Sequence, residues 1–474
     1  MSETLKIYRH VLFVRFILFA AFFLSFNLVN SAHAKEPVTL KEAVEEALVN
    51  SHGILAFRNS LSAQKEDIGI ARSSLLPKLT FEERYLRTNN PTYVFMSKLN
   101  QERFAMQDFA IDSLNDPSPE SDFQTSISIF QPLLARQANI GVDMSETAYA
   151  AKEEDYYRKQ EETAMQVART YLMVEMAREF IAVSENGLED AREDLRIAEI
   201  SYKNGLGLYA DTLRASTALT GAEQKLVSAR KNLKVAERAL GLQMGLSESV
   251  QTTSGDTGIK LHDLEYYNNS ARTRRDIKSM ELKFENAQNN LKMSEAAYIP
   301  TLGMGSSYQL NDHEHPLGGE GKSWQVFAAL KWELFDGLKR KHEKRKAHHQ
   351  IAETKEYLKG LLNETSFKVY EAYLGVEEAR KNSELAQSAL TTAEEGRRLV
   401  KIRYENGLSP LIDLLGAQVS LDQARANAVV REKEQQLAIL SLGFESGTIL
   451  QDLEIETETE NQVADLPTKT FAEE

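Results

Sequence analysis

The sequence predicts a mostly α-helical chain with a membrane β-barrel part, built as an internal duplication. Three observations predict it: a short phrase written twice, two long proline-free helical stretches, and four segments that alternate apolar and polar residues. "YKNGLGLYADTL" runs from Tyr202 to Leu213, and "YENGLSPLIDLL" runs from Tyr404 to Leu415. Tyr, Asn-Gly-Leu, Asp and Leu recur in the same order at an offset of 202 residues. The same offset pairs Leu240-Gly241 with Leu442-Gly443, Gly245 with Gly447, Tyr171 with Tyr373, and Phe130 with Trp332. A gapless register over about 115 residues is too regular for chance and marks two structural repeats.

The start of each half matches at a different offset. "ARSSLLPKLTF", ending at Phe81, resembles "SEAAYIPTLGM", ending at Met304, with Pro77 over Pro300. Each half therefore reads helix, strand, loop, strand, long helix, turn, helix. The first repeat covers 35–245, with strands about 77–88 and 122–133; the second covers 246–447, with strands about 300–311 and 323–335.

Prolines punctuate the helices. None of the ten lies between Pro132 and Pro300, or between Pro316 and Pro410. From about Gln137 to Lys203 the chain is rich in good helix formers, with a stripe through Ala164, Val167, Ala168, Tyr171, Leu172 and Met176. From about Leu338 to Arg403 the stripe runs through Phe367, Tyr370, Leu374 and Val376. At 1.5 Å per residue each stretch is roughly 100 Å long, a length that suggests antiparallel coiled-coil packing. Shorter helices are expected at Tyr209–Gly241, Leu261–Tyr298, Leu411–Gly443 and Leu40–Ser74. Two short helices end to end nearly equal one long one, so each long helix should lie beside a stacked pair. The helix 40–74 is placed in line with 411–443.

The strands follow period two. Phe123, Ile127 and Ile129 share one face, with Gln124, Ser126 and Ser128 opposite. Trp324, Val326, Ala328, Leu330, Trp332 and Leu334 share a face in the last strand, with Gln325, Lys331 and Glu333 opposite. Trp324 and Trp332 are the chain's two tryptophans, and eight strand residues separate them by roughly 26 Å. Membrane barrels carry an apolar band about 25 Å tall between aromatic girdles, which tips the reading from a soluble sheet to membrane strands. Trp324, Trp332, Tyr308 and Tyr85 are the candidate membrane-interface aromatics. Four strands cannot close a barrel, and lipid does not tolerate an open edge, so several protomers must share one. Two copies would give eight strands and three would give twelve. Segments Thr88–Asp122 and Asn311–Lys322 would be outward-facing loops.

Lys6, Arg9 and Arg15 precede an apolar run from Phe16 to Phe26, followed by Ala32-His33-Ala34. That pattern is a secretory signal peptide over 1–34. With no cysteine, disulfides, thiol catalysis and lipid attachment at an N-terminal cysteine are excluded. A net charge of −14 argues against nucleic acid as a partner. Residues 448–474 read as an acidic, disordered tail.

The duplicated halves, the "LLPKL" and "YIPTL" strand entries and the paired Gly-Leu turns followed by Asp resemble the TolC-type outer-membrane efflux proteins over nearly the whole mature chain. The resemblance implies a homotrimer with a shared twelve-stranded barrel in the outer membrane of a Gram-negative bacterium. A periplasmic α-barrel tunnel would continue below it. It implies the exit duct of a tripartite efflux pump or type I secretion system, passive in itself. The driving partner would be an inner-membrane transporter of the proton-driven (RND) or ATP-driven (ABC) kind, reached through a periplasmic adaptor. The repeated phrases would be the tunnel's tip turns, with Asn204, Gly205, Leu206, Asn406, Gly407, Leu408 and Ser409 at the adaptor-docking surface. Asn-Gly also serves simply to end a helix at positive φ. The resemblance further implies a gate: a hydrogen bond from Tyr404 to Asp211, and a carboxylate ring at Asp413. Two family features are missing, since Ser409 stands at an Arg position and Gly416 at a second Asp position.

His313 and His315, with Asp312 and Glu314, have a spacing that could bind a metal, but they read as an exposed polar loop. "KRKHEKRKAHHQ" from Lys339 reads as a solvated helix start. No phosphate-binding glycine loop, nucleophile elbow or zinc-spaced ligand set is present, so neither an enzyme nor a cofactor is expected. The rival readings are a periplasmic adaptor, which would need a lipoyl-like β domain around a single hairpin, and a structural coiled coil without a pore.

Overall fold

The computed structural model describes residues 37–253, 255 and 258–455. The expected signal peptide and the last part of the expected tail lie outside them. The first half holds α1 (Leu40–Asn50), α2 (His52–Ser73), β1 (Lys78–Thr88), α3 (Pro91–Asn100), α4 (Ile111–Asn115), β2 (Glu120–Leu134), α5 (Arg136–Lys203) and α6 (Tyr209–Gln243). The second holds α7 (Leu264–Ala271), α8 (Arg275–Ala296), β3 (Thr301–Asp312), β4 (Gly321–Lys331), α9 (Lys339–Glu405), α10 (Leu411–Ser446) and α11 (Ile449–Asp452). The long helices α5 and α9 have 68 and 67 residues.

The helices form four adjacent columns. α5 is flanked on one side by α6 and α2, and on the other by α10 and α8, which α9 flanks in turn. Ion pairs between columns mark which levels lie side by side: Arg72 to Glu146 at 2.6 Å, Arg230 to Glu185 at 3.1 Å, and Lys344 to Glu295 at 2.7 Å. The stacking corrects the sequence reading. α6 ends at Gly245, where an added Cβ would stand 2.2 Å from the Asn50 carbonyl oxygen, so α6 is in line with α2. α10 ends at Gly447, where a Cβ would stand 2.9 Å from the Arg274 side chain, so α10 is in line with α8. The helix 40–74 therefore stacks on 209–243, not on 411–443. Length could not decide, because α2 and α8 both have 22 residues.

Two of the expected short helices are also broken, each where a column end abuts it. Ser51 ends α1 and begins α2, its hydroxyl accepting from the Ile54 N–H. Arg274 separates α7 from α8. Pro77 and Pro300 differ by 223, and so do Ser51 and Arg274, so the break belongs to the duplication.

The largest core surrounds the middle of α5. Ala164, Val167, Ala168 and Tyr171 pack against Ala43, Val44 and Ala47 of α1 and against Leu240 and Leu440. A capping box at Thr39 and Glu42 starts α1. Ile449, Leu450, Leu453 and Ile455 join this core, so 448–455 is not disordered tail. Averaged composition hides these four side chains, whose burial contributes on the order of 1.5–3 kcal/mol each for the larger ones.

The sheet is antiparallel in the order β1-β2-β3-β4. Phe81, Ile127, Tyr308 and Trp324 pair across all four strands, as do Leu79, Ile129, Ser306 and Val326. Paired residues share a face, so one face is mainly apolar, interrupted by Glu83, Thr125 and Ser306, while Gln124, Ser126, Ser128 and Gln325 occupy the other. Trp324 is 75% exposed on the apolar face. Tyr85 stands two rows further out, its ring 4.7 Å from that of Phe123. Trp332 lies just past β4, which ends at Lys331 rather than running on to 335; its Nε1 donates to the Tyr298 carbonyl at 3.2 Å. Among the described residues no helix is long and apolar enough to cross a membrane.

The expected loop 88–122 is folded. Asn90 caps α3 and Pro91 takes its first turn. Buried Asp122 accepts from Gln101 at 2.9 Å and from Asn311 at 3.0 Å, tying the segment to the outer end of the sheet.

The column junction gives a clean test. Gly245→Ala and Gly205→Ala both put alanine at positive φ, +75° and +74°, at a cost of roughly 1–2 kcal/mol. Only the first also meets backbone, since nothing lies within 4 Å of the added Cβ at Gly205. Gly245→Ala should lower the thermal midpoint clearly more than Gly205→Ala does. Equal midpoints would mean that the junction yields.

Candidate functional site

The end of the columns opposite the sheet carries the repeated phrases. α5 ends in a paired-bond cap: the Gly205 N–H donates to the Tyr202 carbonyl and the Leu206 N–H to that of Ser201, both at 2.9 Å. α9 ends identically, with Gly407 to Tyr404 at 2.9 Å and Leu408 to Arg403 at 2.8 Å. Gly205 and Gly407 sit at φ +74° and +69°, which Asn-Gly supplies cheaply. Both turns leave a leucine in solvent, Leu206 at 85% and Leu408 at 70% exposure. Asn204 and Asn406 are the helix C-caps. Ser409 is different: its Oγ is buried without a hydrogen-bond partner.

Just inside the turns, Tyr404 packs with Ile197, Ala198, Ala215, Leu411 and Leu414. Burial, and then the nearby Asp211 charge, hold its phenol above the ordinary value, while a bond with the Ser201 side chain opposes this. The expected Tyr404–Asp211 hydrogen bond is not formed in this chain: Asp211 pairs instead with Arg214 at 3.2 Å, and reaches Tyr404 only through its charge. Arg214 lies one helical turn beyond Asp211, and that local pair competes for the carboxylate. Asp413 is exposed in the first turn of α10, where an acid suits the helix dipole.

Above Tyr404 lies a buried polar network that sequence reasoning missed. Arg397 of α9 meets Asp194 at 3.1 Å and Asp190 at 3.3 Å, both on α5, and donates through Nε to Gln418 of α10. Gln418 donates in turn to Asp190 at 3.1 Å and to Asp422 at 2.8 Å, and Arg425 reaches Asp190 at 2.8 Å. Lys225 of α6 closes on Asp422 at 3.2 Å. One network thus clamps all four columns. Asp194 is fully buried with one oxygen unpartnered; burial pushes its carboxyl up to about 6, against the pull of Arg397, and the Asp190 charge adds to the rise. The signal was present as polar residues on apolar stripes: Asp194 among Ala191, Ile197 and Ala198, and Gln418 between Leu414 and Leu421.

An apolar-faced sheet at one end and a clamped helical tip at the other are the two ends of an open protomer of the channel-tunnel class. A sequence profile described as "Outer membrane efflux protein" matches residues 43–246 and 266–447. The chain belongs to the outer membrane efflux protein family, and its localisation and export role are those of that family. It is 22% identical over 427 residues to Outer membrane efflux protein BepC of Brucella suis biovar 1 (strain 1330), covering 87% of this chain and 88% of that protein. It is 24% identical over 425 residues to Protein CyaE of Bordetella pertussis, covering 87% and 85%. The fold matches the Campylobacter jejuni CmeC outer membrane channel with a TM-score of 0.71 at 17% identity, covering 86% of each chain.

Asp194 sets a pH dependence. Its folded value is raised above the ordinary 3.8, so its stabilising contribution is full below about 3.8 and is lost as pH rises through about 6. Asp194→Asn removes that titration. The melting temperature of the wild type relative to Asp194→Asn should therefore decline between pH 4 and pH 7. A relative rise over that range would mean that the ion pair with Arg397 outweighs burial.

Proposed function

We propose that three copies of this chain close a twelve-stranded barrel and a twelve-column tunnel, forming the exit duct of a tripartite efflux pump or type I secretion system. The observation that carries this is a four-stranded sheet with an exposed apolar face and both edges, β1 and β4, unpaired. In lipid each unpaired backbone group costs several kcal/mol, so β4 of one copy must meet β1 of the next. The outer columns bear matching apolar side chains, Phe367, Tyr370, Leu374 and Leu385 on α9 and Leu213, Val227 and Val235 on α6.

In this reading the Leu206 and Leu408 turns seat a periplasmic adaptor, which connects the duct to an RND or ABC transporter of the inner membrane. Tyr404 and the Arg397 network hold the tip closed, and Asp211 and Asp413 supply negative charge near the opening, which favours cations. Adaptor docking would open the tip by shifting columns that polar contacts hold, rather than by unpacking a large core.

Photocrosslinking in cells from Leu206 and Leu408, with capture read by mass spectrometry, tests the docking. An adaptor is expected from both turns. No adaptor from either, with the protein in the outer membrane, would leave the turns as helix ends only. Reconstituted in bilayers, Tyr404→Phe and Arg397→Ala should each raise single-channel conductance. Unchanged conductance in both variants would remove these residues from the gate.

A further inference from the structure

The loop joining β3 and β4 gathers three ligand-type side chains that the strand register alone does not explain. Asp312 closes β3 and is buried, His313 follows it, and Glu320 immediately precedes β4. One ligand atom from each lies within 4.8 Å of the other two. His313 Nδ1 is 2.7 Å from the Glu320 carboxylate, which also accepts the His313 backbone N–H at 3.1 Å. Asp312 Oδ1 accepts the backbone N–H groups of Glu314 and His315, both at 2.8 Å, so that carboxylate is held rigidly. Gly318 lies against the other oxygen: a Cβ there would stand 2.1 Å from Oδ2, so only glycine leaves it room.

An imidazole–carboxylate hydrogen bond accounts for two of these groups. It leaves unused a second carboxylate, Asp312, which its backbone N–H bonds pin where its ligand atom converges on the pair. We propose that Asp312, His313 and Glu320 form a binding site for a divalent first-row transition metal of the zinc type. One imidazole nitrogen with two carboxylate oxygens is a mixed donor set that suits zinc or cobalt, whereas calcium and magnesium prefer oxygen alone. Metal–ligand distances near 2.1 Å place ligand atoms of a tetrahedral site about 3.4 Å apart. His313 and Glu320 therefore need only move apart slightly, exchanging the proton between them for the metal. Glu314 holds the ring's other nitrogen, with an oxygen 3.3 Å from His313 Nε2, and a water can complete the coordination.

The site rests on loop geometry and is independent of the export reading. The test uses the full chain purified in detergent. Zinc titration calorimetry should give one saturable site per protomer, and cobalt loading should give visible absorption bands of a low-coordinate ion. His313→Ala, His313→Gln and Glu320→Gln should each weaken zinc binding by about tenfold or more, with size-exclusion profile and melting temperature as in the wild type. Should one variant misfold, the cobalt spectra of the other two decide. No saturable binding in the wild type, or equal affinity in the well-folded variants, would overturn the proposal.

Discussion

A strand edge facing hydrocarbon must be paired, and that requirement governs the rest of this molecule. The four-stranded sheet ends in two edges whose backbone groups have nowhere to bond within one chain. The apolar face that suits lipid makes the isolated sheet unsuitable for water. The protomer is thus an arc rather than a closed body, and the helical columns below it inherit the same incompleteness. Their apolar outer residues, Phe367 on one side and Val227 on the other, are what an arc needs in order to become a ring.

The opposite end obeys a different physics. Near the tip the apolar contacts thin to a small cluster around Tyr404, and buried charge takes over. Buried ion pairs are poor sources of net stability, because desolvation offsets most of the attraction. They are selective, however, since Arg397 satisfies Asp190, Asp194 and Gln418 only when three helices stand at one relative height. A tip held this way is well defined in geometry and modest in depth, as the proposed opening by an adaptor requires.

What could be read from the sequence follows from which interactions are local. The 202-residue offset, the long helices and the inward and outward alternation of the strands depend on neighbouring residues, and the structure has all three. The cap at each Asn-Gly was legible for the same reason. Column pairing was not, because equal lengths of α2 and α8 satisfy either arrangement and the choice is made by contacts between Gly245 and Asn50. The folded segment after β1 had a local signal in Asn90-Pro91, overlooked beneath its polar composition. The Arg397 network and Glu320's approach to His313 join residues far apart or across a turn, and no periodicity announces them.

The two long helices differ by one residue after the whole chain was doubled, while the connections at the other end of the strands differ greatly. β1 and β2 are joined by a folded segment with two helices, β3 and β4 by a short turn. The columns stand side by side and end at a common plane, so a residue inserted in α5 would rotate everything beyond it by about 100° and must be matched in α6, α9 and α10. The outer connections answer to no such partner. Reach below the membrane is thus a single shared quantity, alterable only in concert, whereas the outer face can be revised one loop at a time.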